Sequence, residues 1–333
     1  MKVISRLEDL APEYPLPVVT MGNFDGVHQG HRRLIQHVAA RAAEVGGTPM
    51  VLTFHPHPLQ LLVPNHAPMQ IQTLEQKLAV IASLGIPVTV VIPYDVKLAE
   101  TDARDFVTDI LWERLRAKEI YVGPNFAFGR RRQGSVSLLK EIGREKGFLA
   151  EKIPQVEFRG TRISSTIVRQ ALIYGQAALA RRLLARPFTL GGTVIHGLGL
   201  GSKLQIPTAN LRTDNELIPR RGVYVTRLRV ADDDIDNGSG TFNGSYAAVT
   251  NIGFRPTVNA EEGAALSIET HALDFDRDIY GKQIEVEFWH RLRDERRFSG
   301  QEELVARIRR DKENARRYFE WQRRTRLQLV TSR

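Results

Sequence analysis

The chain has 333 residues, which is too long for one ordinary domain and enough for two. Its hydrophobic share of 42% and charged share of 26% are typical of soluble globular proteins, and no apolar run reaches the roughly 20 residues that a membrane-spanning helix needs. The chain contains no cysteine, which excludes disulfides and thiolate metal sites, and its net charge of +9 leaves open either a surface for nucleic acid or an attraction for polyanionic small molecules.

The N-terminal half predicts strands that alternate with helices. Its first ten residues mix basic with acidic side chains and lack the apolar core of a signal peptide, so we expect a cytoplasmic protein. Five short apolar runs predict strands at residues 17–21, 50–54, 88–93, 120–123 and 148–153. Apolar residues recur at helical spacing in the stretches 34–45, 74–81 and 106–115. This alternation predicts a doubly wound parallel sheet with helices on both faces, which binds ligands beyond the carboxyl ends of its strands.

The C-terminal half has a different period. Two helical stretches, 166–174 and 177–185, end before Pro187. Strands follow with little helix between them, at residues 189–196, 223–230, 246–252, 266–272 and 284–292. Five or six short strands in sequence predict a small antiparallel β-barrel. The Gly- and Asn-rich segment 232–244 predicts a loop, and a helix from near Gln301 carries an apolar stripe of Leu304, Ile308, Ala315 and Phe319. We place the boundary at Arg186, which gives an α/β domain at 1–186 and a barrel domain with a C-terminal helix at 187–333.

A loop rich in glycine and histidine follows the first long strand and leads directly into a helix, G-N-F-D-G-V-H-Q-G-H at 22–31. Gly22 and Gly30 let the backbone approach a ligand, and a helix N-terminus offers free N–H groups to phosphate. His28 and His31 are three residues apart and therefore point the same way. Paired imidazoles there suit nucleotidyl transfer, which needs donors aimed at charge that develops on the α-phosphate. Incidental histidines in a turn are the alternative, and the strand–loop–helix context favours a site.

Two further loops carry candidate ligand contacts. R-I-S-S-T-I-V-R at 162–169 begins a predicted helix, where its hydroxyls would cap the helix in any protein but also form an anion cradle between two arginines. The candidate phosphate-binding residues there are Arg162, Ser164, Ser165, Thr166 and Arg169. V-G-P-N-F-A-F-G at 122–129 combines the amide of Asn125 with the rings of Phe126 and Phe128, which suits a flat ligand ring with a hydrogen-bonding edge. An ordinary turn with buried phenylalanines is the alternative.

These loops, together with T-F-H-P-H-P at 53–58, resemble the adenylyltransferase half of the bacterial bifunctional riboflavin kinase/FAD synthetases. The resemblance implies that His28 and His31 stabilise the phosphates of ATP, that the cradle at 162–169 holds the pyrophosphate, and that Asn125 acts in the reaction. The other implied ATP-binding residues are Gly22, Phe24 and Gly30, and the implied flavin-binding residues are Phe54, Pro56, Pro58, Phe126 and Phe128. We interpret His55 and His57, which alternate with prolines, as residues that shape the loop rather than as metal ligands.

The barrel half begins with glycines at alternate positions, Gly197, Gly199 and Gly201, followed by Lys203. Such glycines disfavour a packed strand and suit a flap whose N–H groups wrap phosphates, with a plain glycine loop as the alternative. P-T-A-N at 207–210 places the oxygens of Thr208 and Asn210 on one side of an extended segment, which suits Mg²⁺ bound with ATP phosphates. Glu269 lies within an apolar strand and is either a solvent-facing carboxylate or a general base for a hydroxyl that attacks the γ-phosphate.

This half resembles the riboflavin kinase domain along nearly its whole length. The further matching segments are G-V-Y-V at 222–225, N-I-G-F-R-P-T at 251–257, I-E-T-H at 268–271, L-D-F-D-R-D-I-Y-G at 273–281 and L-R-D-E-R-R-F at 292–298. The resemblance implies that Thr208 and Asn210 hold Mg-ATP, that Glu269 is the catalytic base, and that Arg293 helps to close over the flavin. Two residues depart from the family pattern: Gln205 stands where glycine is usual, and Asp294 stands where proline is common.

Both halves together predict an enzyme that phosphorylates riboflavin to FMN in its C-terminal domain and adenylylates FMN to FAD, with release of pyrophosphate, in its N-terminal domain. The expected ligands are riboflavin, FMN, FAD, ATP and Mg²⁺, with no nucleic-acid or membrane partner, and a homo-oligomer stays open. A nucleotidyltransferase for a pantetheine or nicotinamide nucleotide is one alternative, which the barrel half argues against. A nucleic-acid-binding protein is another, which gives no reason for the paired histidines, P-T-A-N and Glu269 to occur together.

Overall fold

The computed structural model describes residues 1–9, 14–197, 206–231, 242–254, 266–296 and 298–331. The chain divides into two compact units, Met1–Ile167 and Val168–Arg333. The sequence-based boundary at Arg186 lies 19 residues beyond the end of the first unit, by subtraction of 167 from 186, and stays a prediction.

The first unit is built on a parallel sheet of six strands in the order β1-β4-β3-β2-β5-β6. Its strands are β1 Lys2–Ile4, β2 Pro17–Met21, β3 Thr48–His55, β4 Val88–Pro93, β5 Glu119–Val122 and β6 Leu149–Lys152. Its helices are α1 Gln29–Val45, α2 Pro58–Leu62, α3 Leu74–Ala82, α4 Val96–Glu100, α5 Ala103–Asp105 and α6 Val136–Lys146. Phe106–Arg114 is a π-helix, and single 3₁₀ turns lie at Leu7–Asp9, Pro64–His66 and Arg130–Arg132.

Helices cover both faces of this sheet. Val18 and Val51 belong to one buried core together with Leu34 and Val38 of α1. The alternate strand residues belong to a second core that includes the π-helix and α6; among them are Val19, Met21, Met50, Leu52, Ile120 and Val122. Because successive side chains of a strand point to opposite faces, strands buried on both faces are apolar throughout. The predicted doubly wound parallel sheet is confirmed.

The second unit contains a closed antiparallel barrel in the order β10-β13-β12-β11-β14-β9. Its strands are β9 Phe188–Ile195, β10 Ala209–Thr213, β11 Gly222–Ala231, β12 Phe242–Phe254, β13 Leu266–Ala272 and β14 Gln283–Arg293. A short hairpin of β7 Glu157–Phe158 and β8 Thr161–Arg162 precedes α7 Ser165–Ile173, which crosses the division between the units and is followed by α8 Ala177–Leu184. The last helix is α9 Gln301–Thr331.

The barrel and its C-terminal helix are as predicted, with two differences. Residues 209–213 form a sixth strand, which closes the barrel by pairing with β9 and β13. The expected loop at 232–244 is shorter, because its last three residues belong to β12, while residues 232–241 lie outside the described part of the chain. Helix α9 packs its predicted stripe on the barrel, where Ala315 and Phe319 share a core with Val223, Val225 and Val249.

Candidate functional site

The parallel sheet has its topological switch point at β2. From β2 the chain continues to β3 on one side, whereas β5 lies on the other side. Ligands of such sheets bind in the crevice at the carboxyl ends of the strands next to this point. The loops that follow β2, β3 and β5 are the three predicted motif loops, at 22–31, 53–58 and 122–129. The topology therefore brings three separately predicted segments to one edge of the sheet.

The paired histidines lie at the N-terminus of α1. His28 is the N-cap residue, and its Nδ1 accepts a hydrogen bond of 3.3 Å from the backbone N–H of His31. The two rings stack with centroids 3.7 Å apart and an interplanar angle of 17°. An acceptor at Nδ1 places the proton of a neutral His28 on Nε2, which then serves as a donor. The sequence prediction that both imidazoles point the same way agrees with this geometry.

Phe24 and two glycines shape the space around the histidines. The Phe24 ring is buried and lies edge-on to His31, with centroids 5.2 Å apart. A Cβ atom at Gly22 would lie 3.3 Å from that ring, and one at Gly30 would lie 3.1 Å from the His28 ring. A side chain at Gly30 would therefore crowd His28, which explains the glycine. Phe24 was predicted to contact ATP, and its side chain packs against the His31 ring.

The start of α7 is tied to the histidine loop. Ser165 Oγ donates a hydrogen bond of 2.9 Å to the backbone oxygen of Asp25, and the backbone N–H of Ile167 donates to Ser164 Oγ at 3.4 Å. Thr166 is exposed, and Arg169 follows one turn later on the same helix and is half-buried. Ser165 thus joins this helix start to the loop after β2, while Ser164 accepts from an N–H of the helix's first turn.

The loops after β3 and β5 contribute an amide and a row of aromatic rings. Asn125 contacts Arg162: in the amide orientation that matches donor to acceptor, its side-chain oxygen accepts from the guanidinium. Phe54, Phe106, Phe128 and Phe126 form a continuous row with successive ring centroids 6.4, 5.7 and 5.3 Å apart. Phe128 is only 7% exposed and belongs to the core, whereas Phe54 and Phe126 are partly buried at its margin. The flavin contacts predicted for this row therefore suit Phe54 and Phe126 better than Phe128.

Pro56 and Pro58 follow Phe54 along the chain. Pro56 is exposed and follows a cis peptide bond, and Pro58 begins α2. His57 caps that helix, because its Nδ1 accepts from the backbone N–H of Leu59 at 3.2 Å, and its Nε2 lies 3.1 Å from Asn23 Nδ2. This histidine therefore shapes the loop, in agreement with the sequence interpretation.

Lys77 is a site residue that sequence analysis missed. Its side chain rises from α3 and is 8% exposed, and its Nζ donates to the backbone oxygens of Asn23 and Phe54 at 3.3 and 3.4 Å and to Thr53 Oγ1 at 3.1 Å. Burial lowers the pKa of Lys77 to about 8, against the opposing effect of the Asp25 carboxylate. The signal was present in the sequence, because Lys77 lies on the stripe of α3 between Leu74 and Ile81.

In the barrel, strand register brings the predicted metal ligand Asn210 close to the predicted general base Glu269. Asn210 on β10 and Glu269 on β13 are directly opposite one another, and Asn251 on β12 is opposite Glu269 on its other side. Ser267 Oγ donates a hydrogen bond of 2.7 Å to Glu269 Oε1. Facing residues of neighbouring strands have side chains about 5 Å apart. Glu269 is thus half-buried in a polar row, unlike the solvent-facing alternative weighed from sequence.

Two cavities meet at Thr208. One of about 330 Å³ lies between the barrel and the start of α9 and is lined by Glu269, Arg293 and Phe298 among others. The second, of about 280 Å³, is lined by Ala209, Phe275 and the segment 276–280. Thr208 lines both of them. The first cavity has the more apolar lining, with Ile206, Val223, Val249, Leu304 and Ile308.

Arg293 is held in the wall of the larger cavity by a buried carboxylate. Its Nε and one terminal nitrogen donate to Asp311 Oδ2 at 2.9 and 2.8 Å, and Asp311, which is 1% exposed, also pairs with Arg307 at 3.3 Å. His271 lines the same cavity and has a lowered pKa because it is buried, and its Nδ1 donates to the Pro207 oxygen at 2.8 Å. Asp311 and His271 were missed by sequence analysis.

The predicted glycine flap lies mostly outside the described residues. Gly197 is described, and a Cβ atom there would lie too close to the Asn210 amide nitrogen, so a side chain at this position would displace the Asn210 amide. Gly199, Gly201, Lys203 and the departing Gln205 lie outside the described part of the chain. The other departure, Asp294, forms ion pairs with Arg291 at 2.7 Å and Arg220 at 3.4 Å, which lower its pKa.

Comparison with known proteins decides the family. The FAD synthetase family model matches residues 13–167, and the riboflavin kinase family model matches residues 184–319. The bifunctional riboflavin kinase/FMN adenylyltransferase of Escherichia coli strain K12 is 37% identical over 321 residues, covering 96% of this chain and 98% of that protein. The protein of the same name from Haemophilus influenzae is 35% identical over 90% of this chain and 94% of its own.

The chain belongs to the bifunctional riboflavin kinase/FMN adenylyltransferases. The FAD synthetase match covers the α/β unit from residue 13 onward, and the riboflavin kinase match covers the barrel. The predicted family, the predicted fold class and the predicted pair of activities, FMN formation and FAD formation, are confirmed.

The chain is also similar to the crystal structure of a macrolide-efflux protein from Streptococcus pneumoniae. The TM-score is 0.82 and the identity 27%, with 95% of this chain and 98% of that chain covered. Among the helices that the structure describes, none has both the length and the apolar character needed to cross a bilayer.

Proposed function

We propose that FMN adenylylation takes place at the carboxyl ends of β2, β3 and β5. A phosphate oxygen of FMN attacks the α-phosphorus of ATP, and pyrophosphate departs. The FMN phosphate is already ionised at neutral pH, since the second pKa of such a group is about 6, so no protein nucleophile is required. The observation that carries this proposal is the pair of stacked imidazoles, His28 and His31, at a helix N-terminus at the switch point.

Each group around this crevice has a proposed role. Donors at His28, His31 and the start of α1 stabilise charge on the α-phosphate, while Ser164, Ser165, Thr166 and Arg169 hold the departing pyrophosphate. Asn125 and Arg162, which contact one another, orient the reacting phosphates. Phe54 and Phe126, at the margin of the aromatic row, offer ring faces to the flavin.

We further propose that riboflavin occupies the 330 Å³ cavity beside α9 and that ATP occupies the 280 Å³ cavity. The observation that carries this assignment is that Thr208 lines both cavities, so that the transferred phosphoryl group passes beside it. Glu269 takes the proton of the riboflavin primary hydroxyl as its oxygen attacks the γ-phosphorus, and ADP departs. Arg293, held by Asp311, closes the flavin side of the cavity.

The residues beside Thr208 fit a magnesium ion. Thr208 and Asn210 offer a hydroxyl and an amide oxygen, and Glu269 lies in register with Asn210. Hard oxygen ligands of this kind suit Mg²⁺, which keeps several waters and takes phosphate oxygens as well. Such an ion would supply charge neutralisation for the ATP phosphates. We also propose a cytoplasmic location and ligands limited to flavins and ATP.

The kinase assignment is tested by Glu269→Gln. We expect FMN formation from riboflavin to fall at least about 100-fold, within the range for loss of a general base, while FAD formation from supplied FMN stays unchanged. Products are separated by chromatography after incubation with ATP and Mg²⁺. Glu302→Gln, at an exposed carboxylate on α9, is the matched control and should leave both rates unchanged. An equal loss of both activities in Glu269→Gln would contradict this division of labour.

The adenylylation assignment is tested by the double substitution His28→Ala with His31→Ala. Because both donors aimed at the phosphates are removed, we expect FAD formation to fall about 100-fold or more while FMN accumulates from riboflavin. The exposed His66 provides a control, since His66→Ala should not change either rate. Undiminished FAD output from the double variant would remove both histidines from the mechanism.

A further inference from the structure

A single buried ammonium group joins two of the loops at the proposed adenylylation site. Lys77 Nζ donates to the backbone oxygens of Asn23 and Phe54, which belong to the loops after β2 and β3, and to Thr53 Oγ1 between them. Thr53 Oγ1 itself donates to the Asn23 oxygen at 3.3 Å. An ammonium has three donors, so these three acceptors use all of them. Both carbonyl oxygens are thereby held within 3.4 Å of the same nitrogen atom.

The same loops are joined a second time by side chains. Asn23 Nδ2 lies 3.1 Å from His57 Nε2, and the Asp25 carboxylate accepts from the backbone N–H of Ile71 at 2.9 Å. Ile71 precedes α3, the helix that carries Lys77. The start of α3 thus supports the histidine loop at two positions, through Asp25 and through the ammonium of Lys77.

A buried charge destabilises the folded protein unless other interactions compensate for its lost hydration. Taking an ammonium out of water costs several kcal/mol, and an apolar side chain of similar volume would avoid that cost. Methionine or leucine at position 77 would continue the apolar stripe of α3. The chain instead has a lysine whose three hydrogen bonds all go to the two loops that carry the proposed site.

We infer that Lys77 is a positioning residue for FMN adenylylation: its charged ammonium sets the distance between the loop of the paired histidines and the loop of Phe54. This inference rests on the proposed location of the adenylylation site. When the ammonium is lost, the two carbonyl oxygens repel one another and the loops separate. A displacement of reacting groups by about 1 Å can cost roughly 100-fold in rate.

The charge state of Lys77 provides a readout that a purely structural side chain would lack. Its pKa is lowered to about 8 by burial, and Asp25, from the loop after β2, is the charged group that acts on it. From the loop after β3, His57 reaches the same cluster through Asn23. Adenylylation by the unaltered enzyme should therefore decline as the pH rises through about 8. The kinase reaction of the same chain, which takes place on the barrel, should not follow that decline.

The test compares Lys77→Met, Lys77→Arg and the control Lys97→Met, which removes an exposed lysine on α4. For each full-length enzyme, kcat and KM are measured for FMN and ATP in FAD formation, and for riboflavin in FMN formation, between pH 6.5 and 9.5. We expect Lys77→Met to lose about 10- to 100-fold in kcat of FAD formation, with riboflavin phosphorylation within about twofold of the unaltered enzyme. Lys77→Arg, which stays charged, should retain more activity than Lys77→Met and lose the decline above pH 8.

Two results would overturn the inference. One is FAD formation by Lys77→Met within twofold of the unaltered enzyme. The other is a ratio of adenylylation to kinase rates that stays constant from pH 7 to 9.5 in the unaltered enzyme, a measurement that does not depend on whether any variant folds. If Lys77→Met is fully active while the histidine double variant is inactive, only the positioning role fails. If both are fully active, the proposed site itself is misplaced.

Discussion

Lys77 and Asp311 each occupy a position where the helical pattern calls for an apolar side chain. Lys77 lies on the stripe of α3 with Ile81, and Asp311 lies between Ile308 and Ala315 on the stripe of α9. Both are buried, and each is paired with groups at a proposed site: backbone oxygens in one case, Arg293 and Arg307 in the other. A charge on an apolar stripe is therefore the sequence signal that would have found them, because burial of an uncompensated charge is not tolerated.

The lowered pKa of Lys77 also has a consequence for stability. Between its folded-state pKa of about 8 and the ordinary value of 10.5, the unfolded chain binds more protons than the folded one, so stability rises with pH in that window. The difference between the two pKa values of Lys77, 10.5 and about 8, corresponds to about 3 kcal/mol of unfolding free energy. We expect the unfolding free energy of the unaltered enzyme, relative to that of Lys77→Met, to be constant below pH 8 and to rise by up to that amount towards pH 10.5.

This prediction is checked by urea unfolding of both proteins at pH 7, 8.5 and 10, followed by circular dichroism and by tryptophan fluorescence. All other titrating groups are shared, so they cancel in the difference between the two proteins. A difference that does not change with pH would mean that Lys77 keeps an ordinary pKa in the folded enzyme. A difference that falls with pH would mean that the hydrogen bonds and the Asp25 carboxylate outweigh burial and raise the pKa of Lys77 in the folded enzyme.

At the level of elements, the sequence predicts best where one periodicity persists. Strands β2, β4 and β13 have the predicted bounds, because each is an apolar run between clear breakers. The apolar stripe from Phe106 to Leu115 correctly predicts a helix, but it fits a π-helix as well as an α-helix. The hydrogen bond from the backbone N–H of Leu115 to the backbone oxygen of Ile110, five residues earlier, shows that the π form is adopted. The spacing of apolar residues alone does not distinguish the two kinds of helix.

Two of the missed strands are short or carry ligand-binding residues. Strand β1 has three residues and buries only Ile4, so it has no readable period. Strand β10 begins within P-T-A-N, whose polar side chains hide the strand pattern, and barrel closure selects its extended conformation. Helix α6 was missed although Ser135 and Gly147 cap its two ends as a sequence could have indicated. Loops were located from motifs, but the distances between them required the fold.

At the level of the whole molecule, α8 lies between two possible starts of the kinase domain, Val168 and Pro187. The helix precedes the sequence-based boundary at Arg186, yet it lies in the second compact unit and packs on β9 and β14. Its buried residues are Ala177, Ala180, Leu183 and Leu184, and the Arg181 guanidinium lies 5.1 Å from the ring centroid of Trp289 on β14. A fragment that begins at residue 187 would expose the barrel surface that this helix covers.

We therefore expect two fragments, 168–333 and 187–333, to behave differently. Burial of Leu183 and Leu184 alone contributes about 3 to 6 kcal/mol, so the longer fragment should unfold at a clearly higher temperature. Both should phosphorylate riboflavin, since Thr208, Asn210, Glu269 and Arg293 are present in each, and neither should form FAD because the paired histidines are absent. Thermal unfolding by circular dichroism and chromatography of the flavin products measure both expectations. Equal melting temperatures would support a boundary at Arg186, whereas two folded but inactive fragments would show that phosphorylation of riboflavin needs residues of the first unit.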